Sequence, residues 1–320
     1  MLPILQLQPS YRDYVWGGQR LRPGQQTAEQ WAVHEENVVI SQRSERSQRS
    51  DRFAGRTLAE LAAEYGPALL GQTVFARTGA RFPLLIKLLD CAQWLSVQVH
   101  PNDEQALALE GRGHFGKTEA WLVLDAAANA QLIAGVEPGL DAETLAAAIR
   151  DSRILDHLHY RDVKAGDTVF MPAGAIHALG PGLLIYEVQQ TSDITYRVYD
   201  WGRPQSGGRM LHIDQSIAVA NPDADTPLLP PPALGDGDLA TLVHCPYFTL
   251  ALAASQTRPL ALDTGGEAFH ALTVIEGCAE VVAGEDAVTL RPYETAVVPA
   301  ASGAYEVRPL GGFRLLKASP

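Results

Sequence analysis

The chain has 320 residues, 46% of them apolar and 7% aromatic, and a formal charge of -12. That balance excludes a nucleic-acid binder built on a basic face, because phosphate backbones are gripped by clustered lysine and arginine. No stretch reaches the ~18 consecutive apolar residues of a membrane-crossing helix, and the opening Met1–Gln6 lacks the basic and long apolar regions of a signal peptide. Three cysteines, Cys91, Cys245 and Cys278, occur without CxxC spacing. They argue against a disulfide framework or thiolate zinc site, and for a reducing, cytoplasmic setting. An acidic chain still binds a small anion, since such a ligand responds to the local field of its pocket.

In chain order, Arg43, Arg46, Arg49 and Arg52 repeat at every third position and read as a solvated loop. Thr57 to Glu60 has the form of a capping box, followed by Leu61, Leu69 and Leu70. Phe82 to Leu89 and Trp94 to His100 read as strands. Between them and the next strands, Asn102 with Asp103 and Glu104 opens a short helix through Leu109, and Asp141 caps another over Ala142 to Ile149. Asp167 to Met171 and Gly182 to Val188 are again strand-like. Residues 221–237 carry five prolines and read as a stiff linker. Beyond it, Tyr247 to Leu252, Ala271 to Gly277 and Glu294 to Pro299 are short strands. The expected fold is mainly β: a jelly-roll β-barrel with inserted helices, plus a smaller C-terminal β-domain. The expected division is 1–220 as a metal-binding catalytic domain, 221–237 as linker and 238–320 as the second domain.

Three constellations carry chemistry. Period 2 places Gln98 and His100 on one face of a strand. The run from Gly166 to His177 spaces Gly166, Pro172, Gly174 and His177 as G-x5-P-x-G-x2-H, which turns the chain into a strand, returns it tightly and points His177 inward. To these two, Glu119, in Lys117-Thr-Glu119-Ala-Trp121, adds a carboxylate. Together Gln98, His100, Glu119 and His177 make a mixed nitrogen and oxygen site suited to zinc and, less selectively, to other divalent first-row metals. The rival pair His157 and His159 has no such frame, and His114 sits in a glycine-rich loop. Third, Glu187, Gln189, Asp193, Thr195 and Arg197 share parity if the strand runs on through Thr191. An interior glutamate, aspartate and arginine are costly unless they pair or meet a ligand. A structural Asp193–Arg197 pair is the alternative to a catalytic role.

The Gly166–His177 spacing resembles the second motif of the cupin superfamily, although Pro181 stands where that motif carries asparagine. The chain more narrowly resembles the type I phosphomannose isomerases, zinc-dependent cupins, in their short bacterial form. The resemblance rests on Tyr14-Val-Trp-Gly-Gly, on Ile86-Lys87-Leu-Leu with Leu95 to Asp103, on Lys117 to Trp121, on Pro172 to His177 and on Glu187 to Arg197. It implies Gln98, His100, Glu119 and His177 as metal ligands, and Arg197, Lys117, Asp193 and Glu187 as catalytic positions. Ser96, Lys87 and Arg203 become substrate contacts. The run Trp31-Ala-Val-His34 departs from the family's early loop. The implied reaction interconverts mannose 6-phosphate and fructose 6-phosphate through a cis-enediol, with Asp193, Glu187, Lys117 and a water on the metal all eligible as base. The implied partner is thus a small phosphorylated sugar. A metal cupin oxygenase is disfavoured because Gln98-x-His100 replaces its usual His-x-His start. A sugar-binding regulator is disfavoured because no ligand has been lost.

Overall fold

The computed structural model describes residues 2–41 and 51–320, so Arg43, Arg46 and Arg49 lie outside the described residues. The chain forms two compact units, neither of them one continuous stretch. A central unit comprises Tyr11–Gln30 and Leu88–Pro231; a terminal unit gathers Met1–Ser10, Trp31–Lys87 and Pro232–Pro320.

The central unit is built on two sheets that face one another. The first has the strand order Tyr196–Tyr199, Val97–Val99, His177–Leu179, Gln131–Val136 and Leu158–Asp162, antiparallel throughout. Alternation divides its side chains. Val97, Val99, Ile133, Ala178, Tyr196 and Val198 pack outward against Leu145 and Ile149 of the Ala142–Arg150 helix and Val219 of the Ile213–Val219 helix. The intervening residues, Gln98, His177 and Arg197 among them, therefore turn inward.

The second sheet runs Leu228–Leu229, Thr168–Met171, Glu119–Ala126 and Leu183–Gln190, again antiparallel. In strand order Leu84–Cys91, Glu29–Val33 and Ser10–Arg12 come next. Trp121, Val123, Val169, Met171 and Ile185 of this sheet pack against Leu132, Ala134 and Leu179 of the first. Burying each such large apolar side chain contributes about 1.5–3 kcal/mol.

The three expected helix starts are where the capping chemistry puts them. Thr57 and Glu60 form a reciprocal capping box, Asn102 does the same with Gln105, and Asp141 accepts from the Thr144 amide. The proline-rich stretch is more than a connector. Leu228 and Leu229 pair with Val169 and Thr168, and the Thr226 hydroxyl donates to the Ala134 carbonyl at 3.1 Å. Its prolines suit an edge position, where no further ladder partner is required.

The terminal unit is an antiparallel sheet in the order Leu5–Gln6, Thr295–Val298, His270–Ala283, Ala304–Ser319, Thr249–Ser255 and Asp238–His244, with Leu260–Asp263 and Asp286–Leu290 on side branches. Its composition differs from the expected 1–220 grouping for identifiable reasons. Leu5 pairs with Val297, and Ile4 enters the core of Leu272, Val274 and Phe313. The rings of Phe82 and Phe269 lie 4.5 Å apart, and Thr73 bonds Glu267 at 2.9 Å. Gly71, at φ 96°, permits that last approach, since a Cβ there would meet the Glu267 carbonyl oxygen at 1.9 Å.

Candidate active site

The register of the two facing sheets assembles the site. Arg197 and His177 each lie directly opposite Gln98, so three side chains from three adjacent strands project from one face in a row. On the facing sheet, Glu119 lies opposite Gln189 and Met171, and Trp121 lies opposite Glu187. His100 follows the Val97–Val99 strand by one residue. Its carbonyl accepts from the Gly174 amide at 2.8 Å, so the Pro172-Ala-Gly174 turn holds the backbone of one histidine while delivering the other.

Ligand atoms of His100, Glu119 and His177 all fall within 4.8 Å of one another, and all three residues are buried. Glu119 approaches His100 Nε2 at 3.5 Å through one oxygen and His177 Nε2 at 3.6 Å through the other. The half-buried Gln98 amide is 3.3 Å from His177 Nε2. Lys117 Nζ lies 2.7 Å from Glu119 Oε1 and 3.1 Å from His100 Nε2.

His177 donates from Nδ1 to the Ala175 carbonyl at 2.9 Å, which leaves the Nε2 lone pair directed at the carboxylate. Burial pushes this imidazole down to about 4, so at neutral pH it is in the uncharged form that metals require. A buried carboxylate between two imidazoles fits a divalent cation. Two nitrogen donors and one oxygen donor converge, and Gln98 can offer a second oxygen by turning its amide.

Residues 4–115 match the model of "Phosphomannose isomerase type I, catalytic domain". A mannose-6-phosphate isomerase of Bacillus subtilis (strain 168) is 33% identical over 322 residues, covering 93% of this chain and 94% of its own length. The chain belongs to the type I phosphomannose isomerase family. Another relative, the mannose-6-phosphate isomerase of Streptococcus mutans, is 35% identical with 93% of each chain covered. The crystal structure of the Bacillus subtilis mannose 6-phosphate isomerase matches at a TM-score of 0.84 and 29% identity, covering 99% of both chains.

Within this phosphomannose isomerase fold, the remaining expected residues separate into groups. Glu187 is buried and accepts from the Trp121 indole at 3.0 Å. Arg197 donates from Nε to the buried Ser96 hydroxyl at 3.2 Å and from Nη1 to the carbonyls of Gly208 and Met210. Arg203 spends its guanidinium on Asp200, Gln93 and the Trp94 carbonyl. Lys87 belongs to the terminal unit, where its buried ammonium lies 5.7 Å from the centre of the Trp31 ring.

The shared face of Glu187, Asp193 and Arg197 required an unbroken strand, and the strand is broken. The chain leaves the sheet after Gln190 and re-enters it at Tyr196, so parity does not carry across the gap. Asp193 is exposed on that connection, and among the described residues its carboxylate has no ion-pair partner. His114 is exposed, and neither His157 nor His159 joins a metal-capable group among the described residues.

Two residues of the neighbourhood carry no signal in the motif reading. Asp200, 4% exposed, receives both Arg203 and Arg209. The available cue was the glycine pair before Arg209, which marks a loop needing side chains to fix it.

Proposed function

We propose that the protein is a zinc-dependent aldose–ketose isomerase that interconverts mannose 6-phosphate and fructose 6-phosphate. The observation that carries this reading is the buried His100, Glu119 and His177 cluster, with Gln98 and Arg197 in register beside it. Those three residues, with Gln98, would hold the ion. Mixed imidazole and oxygen donors favour zinc among divalent metals, although other first-row ions fit the same set. When bound, the ion supplies Lewis-acid polarisation of the sugar's oxygens.

The chain's own groups do the rest. Moving a carbonyl between C1 and C2 passes a proton through a cis-enediol, on which negative charge develops. Arg197 and Lys117 are preorganised cations that stabilise that charge. Ser96 fixes the Arg197 guanidinium and, with Arg203, contributes to recognition of the phosphorylated sugar. The carbon-bound proton is handled by one of Glu187, Lys117 and Asp193. Glu187 and Lys117 are buried, whereas Asp193 must be brought to the substrate by its connection. A cytoplasmic setting is supported by the three cysteines, all of them free thiols.

A coupled assay of fructose 6-phosphate formation tests the proposal. Purified protein should convert mannose 6-phosphate, lose activity to a chelator and regain it with added zinc. No conversion by metal-loaded protein overturns the reading.

A further inference from the structure

The segment that follows the Tyr196–Tyr199 strand is irregular until the Ile213–Val219 helix. It contains Gly207 and Gly208 at φ 61° and 80°, and nothing lies within 4 Å of where either Cβ would be. Such a segment has little backbone preference of its own. Yet it supplies two of the three acceptors that hold the Arg197 guanidinium: Arg197 Nη1 donates to the Gly208 carbonyl at 3.3 Å and to the Met210 carbonyl at 3.0 Å. The residue between those carbonyls is Arg209. Its side chain forms a two-pronged pair with Asp200, Nε to Oδ2 at 2.7 Å and Nη2 to Oδ1 at 2.6 Å.

Trp201, just after Asp200, takes the left-handed conformation at φ 55°, with its indole donating to the Leu95 carbonyl at 2.7 Å. That conformation is costly for a bulky residue and persists only where its surroundings enforce it.

We infer that Asp200 and Arg209 are positioning residues for Arg197: their ion pair sets the two carbonyls that aim the catalytic guanidinium. The inference rests on the isomerase reading for its kinetic consequence. Neither residue needs to touch substrate. Asp200 holds Arg197 through the backbone on either side of Arg209, and the planar fork of Arg209 fixes that backbone in direction as well as distance. A buried ion pair of this kind often adds little net stability, because the desolvation of both charges offsets their attraction. Removing one partner alone strands the other charge and lowers the melting temperature as well, so turnover at a temperature where each variant is folded carries the test, with Arg209→Lys keeping the charge. Arg209 also sets a second positive charge near Arg197, and Asp200 is the carboxylate that offsets the repulsion.

The test uses full-length, zinc-loaded protein and the variants Arg209→Lys, Asp200→Asn, Asp200→Glu and Arg197→Lys, with the Arg197→Lys/Arg209→Lys double. Displacing a catalytic group by about 1 Å costs on the order of 100-fold in rate. Arg209→Lys and Asp200→Asn should lower kcat by roughly 10- to 100-fold on that basis, with unchanged metal content and a smaller change in KM. Asp200→Glu should recover part of the loss. The double variant should turn over no more slowly than Arg197→Lys alone, because the pair acts only through Arg197. Additive losses, or normal kcat in Arg209→Lys, overturn the inference. An NMR readout of the Arg197 Nη1–H signal, the donor that reaches both carbonyls, separates this inference from the isomerase reading. The signal should be protected from exchange in the parent protein and exposed in Asp200→Asn, whether or not the protein isomerises sugar. An unchanged signal in that variant also overturns the inference.

Discussion

His177 in the central unit and His270 in the terminal unit begin from the same circumstances. Both are buried residues at the start of a strand, and burial pushes both imidazoles down, His177 to about 4 and His270 to about 3. Each has its Nδ1 engaged, His177 by the Ala175 carbonyl and His270 by the Tyr305 hydroxyl at 2.7 Å. They differ in what surrounds the ring. His177 meets the Glu119 carboxylate, the Gln98 amide and the ring of His100. The charged neighbour that acts on His270 is Lys317, a half-buried cation that lowers the imidazole further. Burial makes a histidine neutral in either place. Only converging oxygen and nitrogen donors, with an anionic member among them, turn it into a ligand.

The sharpest way to break this comparison is to remove each ring. His177→Ala should abolish stoichiometric metal binding and lower turnover by more than about 100-fold, the upper end for loss of a group that merely orients a ligand. His270→Ala should keep its metal and its turnover, with loss confined to stability. Elemental analysis and kinetics of the two purified variants decide the matter. Full metal occupancy in His177→Ala would remove that residue from the ligand set.

Arg197 extends the comparison along the row that begins at His177, since both face Gln98. Arg197→Lys keeps the charge and loses the planar fork that reaches Ser96 and the two carbonyls. Turnover should fall roughly 100- to 1,000-fold, as for loss of one preorganised charged donor, while the melting temperature stays close to that of the parent. A large drop in melting temperature with near-normal turnover would make Arg197 a structural residue.

The convergence of Gln98, His100, Glu119 and His177 was legible because these residues sit in local patterns. Alternation put Gln98 and His100 on one face, and the Gly166, Pro172, Gly174 spacing delivered His177. Helix caps were legible for the same reason, being defined within four residues. The grouping of Met1–Ser10 with the last strands was not, since the pairing of Leu5 with Val297 joins the two ends of the chain and leaves no local trace. The placement of Asp193 depended on whether the strand ran on through Thr191, which no local pattern decides. Period 2 holds within a strand, and Thr191 to Thr195 are outside one. Asp200 and Arg209 stayed hidden because a bond between a strand end and an irregular loop has no periodicity to read.

The smallest expected effect concerns His270, which lies outside the His100, Glu119 and His177 cluster. His270 has a folded-state value near 3 against 6.5 for a free imidazole, so the unfolded chain takes up the proton first as pH falls. Its contribution is fully present above pH 6.5. It declines as pH drops from 6.5 toward about 3, where folded and unfolded forms are both protonated. The decline is at most about 1.4 kcal/mol for each pH unit. His270→Gln retains a hydrogen-bonding partner for Tyr305 and cannot titrate. At equal metal loading, urea unfolding of parent and variant should therefore differ by a constant amount above pH 7, and the difference should move in favour of the variant between pH 6.5 and 5. The charged groups acting on the pair are Lys317 on His270 and Asp263 on Tyr305. His270→Gln removes the imidazole and leaves both of those groups in place, so the difference in slope belongs to the imidazole. Parallel curves from pH 7 to 5 would mean that His270 titrates alike in the folded and unfolded chain, and that its burial does not hold it neutral as it does His177.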